Sequence, residues 1–122
     1  MDTRQRGRYW ERAAESFLQK RGLKTLQRNF QARFGEIDLV MLDGETLVFT
    51  EVRYRANQRH GSGADSVTPR KQQRIIRAAR LFLQYHDPQQ TRPCRFDVIS
   101  IGRSGGRTVF DWVRDAFDSG QG

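Results

Sequence analysis

Residues 36–54 read EIDLVML and TLVFTEVRY on either side of Asp43-Gly44, two apolar-rich runs around a strong hairpin signal, which predicts two antiparallel strands. Upstream, Trp10, Ala13, Ala14, Phe17 and Leu18 recur at helical spacing and Gly22 supplies a stop, so RYWERAAESFLQKRG should hold a first helix. LKTLQRNFQARF leans toward extended structure and should lead into the hairpin as a strand. Thr68-Pro69, a capping threonine before a proline suited to the first helical position, opens a second helix. Its apolar stripe is Ile75, Ile76, Ala79, Phe82 and Leu83. RFDVISI predicts a further strand, and a glycine-rich turn at 102–106 precedes a short last strand around Thr108–Val113. The expected order is α-β-β-β-α-β-β in one domain over residues 1–122, with flexible tails at 1–6 and 118–122. ANQRHGSGAD has no periodicity, so 56–65 is expected to be a mobile loop.

A chain of 122 residues can bury one real core without metal or disulfide staples, and its single cysteine, Cys94, excludes an intrachain disulfide. No apolar run reaches membrane-spanning length, and the arginine-rich start does not resemble a signal peptide, so a cytoplasmic location is the simplest expectation. The formal net charge is +8, and 19 of the 22 Lys+Arg residues are arginine, whose planar fork suits phosphate. The charge is unevenly placed: +6 over residues 1–34, −5 over 35–52, +7 over 53–80 and zero beyond. An acidic island between two basic flanks points to a polyanionic partner, with acidic membrane lipid and nucleic acid both open on charge alone.

That island coincides with the hairpin. With Asp43-Gly44 as a two-residue turn, Leu42 faces Glu45 and Glu36 faces Glu51. Alternation then puts Glu36 and Asp38 on one face with Glu51 and Arg53. Asp38 and Glu51 become diagonal neighbours roughly 7–8 Å apart at the backbone. The other face, with Ile37, Leu39, Met41, Val48 and Val52, is apolar, so the pair should be central in the sheet. Any one of these carboxylates could lie solvated at an open end of the sheet or pair with an arginine. Three together, beside a basic cluster, are most simply compensated by a hard cation with oxygen ligands.

The spacing of Asp38 and Glu51-Val52-Arg53 resembles the D…(D/E)-x-K signature of the restriction-endonuclease-like nuclease superfamily. GEIDLV, LVFTEVRYR, RIIRAARLFL and CRFDVISI resemble, over about residues 7–117, the YraN-type family of bacterial predicted nucleases, which is similar to archaeal Holliday-junction resolvases. The resemblance implies an α/β, restriction-endonuclease-like fold with a central mixed sheet flanked by helices. It also implies a Mg²⁺- or Mn²⁺-dependent endonuclease that hydrolyses phosphodiester bonds in DNA, branched DNA included. Carried over by position, Asp38 and Glu51 would hold the metal with the backbone carbonyl of Val52, and Glu11 matches a first-helix glutamate of the resolvase-like members. Glu36 is an auxiliary candidate, whereas Glu15 should point further toward solvent.

Arg53 departs from the signature, which asks for lysine. Arginine keeps its proton in a protein, so Arg53 can stabilise charge on a phosphate but cannot act as a base. Either no protein base is needed, or Lys71, near the start of the second helix, takes that role. The substitution also leaves room for a non-catalytic module that binds structured DNA or RNA. Expected nucleic-acid contacts are Arg53, Arg55, Arg59, Arg70, Lys71, Arg74 and Arg77. Two-fold symmetric branched DNA would suit a homodimer. No membrane partner is expected, because the second helix lacks interfacial aromatic anchors. Asp97 should pair with Arg95, and Trp10 and Trp112 should anchor the core edge.

Overall fold

Asp2 opens the first helix by accepting a hydrogen bond from the Gln5 backbone amide while the Gln5 side-chain oxygen accepts one from the Asp2 N–H, a capping box that starts α1 at Thr3–Gln19. Residues 3–6, expected in a flexible tail, are therefore helical: the cap acts well before the apolar stripe begins at Trp10. The computed structural model describes residues 2–55 and 67–119, so the whole of the segment 56–65, expected to be a mobile loop, lies outside the described residues. Strands β1 (Lys24–Ala32), β2 (Gly35–Asp43) and β3 (Thr46–Arg55) follow, then α2 (Pro69–His86), β4 (Cys94–Ser104) and β5 (Arg107–Phe117). The order α-β-β-β-α-β-β and the α/β class are as the sequence implied.

The five strands form one sheet in the order β1-β2-β3-β4-β5. Only β3 and β4 are parallel, joined through α2 as parallel neighbours require, so the sheet is mixed. Helix α2 covers one face, where Ile75, Ile76 and Phe82 meet Val40, Phe49 and Val98. Helix α1 belongs to the core of the other face, where Ala14 and Leu18 meet Leu39, Met41, Val48 and Ile99. Trp10 and Trp112 pack at the edge of that second core. Among the described residues, no helix is long and apolar enough to cross a membrane.

The hairpin register differs from the expected one. Asp43 pairs with Thr46 and Leu42 with Leu47, which leaves Gly44 and Glu45 as the turn. Gly44 has φ +60°, the left-handed conformation that a II′-type turn asks of its first central residue. Asp43 instead stays in the strand, its carboxylate 2.9 Å from Arg95 of β4. The slip is two residues, so every side chain keeps its face but changes its partner. Glu36 lies opposite Gln31 of β1, and Glu51 opposite Val98 of β4, so the two glutamates do not face each other.

The last strand runs longer than expected, to Phe117. Asp97, fully buried within β4, receives the Trp112 indole N–H at 2.9 Å and the Asp115 amide at 2.9 Å. These bonds hold β5 across the irregularity between Phe96 and Val98, and Arg95 pairs with Asp97 at 3.0 Å, as anticipated.

Candidate metal centre and its basic surround

The pairing of β2 with β3 extends from Asp43↔Thr46 to Leu39↔Thr50. Beyond that point β2 continues with β1 and β3 with β4, so the sheet parts between them. At the fork the Asp38 side chain takes up the next donor: the Val52 amide N–H donates to its Oδ2 at 2.8 Å. A carboxylate thus stands where a strand carbonyl would otherwise accept, which satisfies a buried amide and fixes Asp38 in the gap. Glu51, one residue before Val52, is 5 % exposed.

Both carboxylates line a cleft of about 210 Å³ with Glu36, Lys71 and Arg74. Burial raises the Asp38 pKa well above the ordinary carboxylate range, and the charge of Glu51 adds to it; the Val52 amide opposes, and Glu11 and Glu36 contribute smaller repulsions. Glu51 is raised too, chiefly by burial, against the opposing pull of Lys71 and then Arg53. The Lys71 amine lies 3.0 Å from Glu51 Oε1, and the Arg53 guanidinium 3.9 Å from the same oxygen. Lys71, entering from the first turn of α2, is therefore the nearer cation at the position where the signature resemblance would have put Arg53.

Glu11 reaches the fork from α1. Oxygen atoms of Glu11, Glu36 and Asp38 all lie within 4.8 Å of one another, a spacing that one hard cation can bridge. Asn29 of β1 organises two of them, its amide nitrogen 2.6 Å from Glu11 Oε1 and 3.2 Å from Glu36 Oε1. Its φ of +52° is left-handed, a conformation asparagine tolerates better than most residues. Sequence reasoning missed Asn29; the available signal was an asparagine inside a strand, where the residue is depleted. Glu15 corrects an expectation as well. It is buried, bonded to the Arg28 guanidinium at 2.8 Å and to Thr25, and ties α1 to β1 instead of facing solvent.

Basic residues border this acidic fork. Arg70, Arg74 and Arg77 of α2, with Arg33, Phe34 and Gln73, line a groove of about 560 Å³. Along α1, Arg4 and Arg8 line another of about 700 Å³ that includes Glu11, Asn29 and Glu36. Arg55 ends β3, and Arg59 lies outside the described residues.

A model of the uncharacterised protein family UPF0102 matches residues 10–101, three quarters of the chain and all of the acidic fork. The chain belongs to UPF0102. It is similar to the UPF0102 protein of Stutzerimonas stutzeri, 50 % identical over 113 residues that make up 93 % of this chain and 94 % of the relative. The UPF0102 protein of Nitrosococcus oceani is 50 % identical over 114 residues, 93 % of this chain and 92 % of that one. That of Pseudomonas aeruginosa is 45 % identical over 119 residues, 96 % and 95 % respectively. Membership of UPF0102 accords with the YraN-type resemblance.

Proposed function

We propose that this UPF0102 protein is a divalent-metal-dependent endonuclease that hydrolyses phosphodiester bonds in DNA, at branched or otherwise distorted sites. The observation that carries the reading is the fork between β2 and β3, where half-buried Asp38 and buried Glu51 line one cleft with Glu36, and Glu11 reaches Asp38 from α1. The donor set fits Mg²⁺ or Mn²⁺: the donors are carboxylate oxygens, and a dication would offset both the burial that chiefly raises Asp38 and the repulsion from Glu51 that adds to it. Asp38 and Glu51 would hold the ion, with the Val52 carbonyl, Glu11 and Glu36 as further oxygens. Such an ion, when bound, acidifies a neighbouring water and neutralises charge on the scissile phosphate.

The chain's own residues supply the remainder. Among the described residues lining the cleft Lys71 is the one lysine, and a lysine, unlike an arginine, can give up and regain a proton, so Lys71 orients the attacking water and exchanges a proton with it. Arg53 stabilises the charge that grows on the phosphate. Arg70, Arg74 and Arg77 hold the backbone of one arm of the substrate, and Arg4 and Arg8 face the other side of the fork.

One observation favours a rival reading, a nucleic-acid binder without turnover: arginine stands at position 53, and Lys71 is already closed on Glu51. The two are separated by assaying a branched DNA with Mg²⁺ and Mn²⁺. Wild-type protein should cleave it, while Asp38→Asn, Glu51→Gln and Lys71→Ala should each lose about 100-fold or more in rate and still bind. Binding by the wild type with no cleavage under either metal would establish the rival.

A further inference from the structure

Phe34, in the turn between β1 and β2, is 54 % exposed. A single exposed phenylalanine is ordinary on a protein surface, but the surroundings of this one are not. The guanidinium groups of Arg33 and Arg77 lie over its ring, 5.4 and 5.3 Å from the centroid. Arg70, Gln73 and Arg74 complete the same groove, whose volume of about 560 Å³ is of the size that holds a small ligand. Phe34 and Arg74 also line the carboxylate cleft, so the groove adjoins it. The turn is held firmly against α2: a Cβ on Gly35 would come within 2.8 Å of the Arg74 carbonyl oxygen, so only glycine allows this approach.

Gripping a phosphate backbone needs cations and no aromatic ring. A ring face set among guanidinium groups suits a flat, uncharged heterocycle whose neighbours are phosphates. In the interior of a duplex both faces of a base are covered by stacked neighbours, so an unpaired base is the one that offers a free face to such a surface along the strand. We infer that the groove takes an unpaired nucleobase, stacked on Phe34, with the flanking phosphates on Arg70, Arg74 and Arg77. Gln73 supplies an amide for the base edge. The inference rests on the nucleic-acid reading above and deepens it: the substrate presents a single-stranded nucleotide beside the fork, as a flap or an open junction does.

The test is metal-free binding by the full-length chain in EDTA, followed by fluorescence anisotropy on three probes of one sequence: single-stranded DNA, single-stranded RNA and a blunt DNA duplex. Phe34→Ala should weaken binding of the single strands by about 10-fold and change the duplex by less than about two-fold. Phe34→Tyr should bind like wild type, and melting curves of both variants should match it. Loss of affinity confined to one of the single strands supports the inference and names the sugar. Equal loss on single strand and duplex, or none with Phe34→Ala, would overturn it. No turnover enters this measurement, so failure of the endonuclease reading and failure of the stacking groove are told apart.

Discussion

Asp38 does two opposed things at once: it accepts the Val52 amide N–H and it meets the buried charge of Glu51. Asparagine keeps an oxygen for the amide and removes the repulsion. Asp38→Asn should therefore raise the melting temperature at neutral pH without metal, by roughly 4 °C for each kcal/mol of repulsion relieved. Scanning calorimetry checks this, and an unchanged or lower melting temperature would mean that Lys71 and Arg53 already neutralise the pair. At this scale the sequence was readable where parity alone decided the outcome. A slip of two residues in the hairpin preserved the shared face of Asp38 and Glu51, whereas a slip of one would have reversed it. Partnerships that depend on distant segments were not readable. Neither the Asn29 bridge between Glu11 and Glu36 nor the Lys71–Glu51 pair follows from local pattern, since each joins elements far apart in the chain.

The elements are placed by contacts of the same long-range kind. Helix α1 showed its apolar stripe in the sequence, but its helical wheel assigned Glu15 outward because nothing local announces Arg28 on β1. Burial alone would raise the Glu15 pKa; the hydrogen bonds from Arg28 and Thr25 and the nearby guanidinium charge outweigh burial and hold it below the usual value. A carboxylate whose folded pKa is depressed contributes stability that is present above its unfolded pKa and lost as pH falls through the folded one. Glu15→Gln should thus cost about 2 kcal/mol at neutral pH, and the gap to wild type should close as pH falls below about 4. Urea melts across pH 3–7 measure it, and a gap independent of pH would show that shape matters there and charge does not. The strands themselves were legible from alternation and turn residues. The end of β5 was not, because its continuation depends on bonds to Asp97, buried one strand away.

For the whole molecule, the uneven charge along the chain becomes an acidic fork with a basic groove on its α2 side and two arginines, Arg4 and Arg8, on its α1 side. Folding brings the −5 island of residues 35–52 next to the arginines of the +7 segment that follows it. Association with DNA should accordingly be dominated by counterion release. Replacing both Arg74 and Arg77 by alanine should weaken binding across sequences and reduce the slope of log K against log salt concentration by about 2, as titrations at several ionic strengths would show. An unchanged slope would move the binding surface off α2.

Whether the fork holds a divalent cation is decided by crystals soaked in Mn²⁺ and measured at the manganese absorption edge. An anomalous peak is expected in the cleft, about 2.1–2.2 Å from an Asp38 carboxylate oxygen and in contact with Glu51 or Glu11. Soaked crystals with no peak in reach of Asp38, and with the Lys71–Glu51 pair intact, would contradict the metal site.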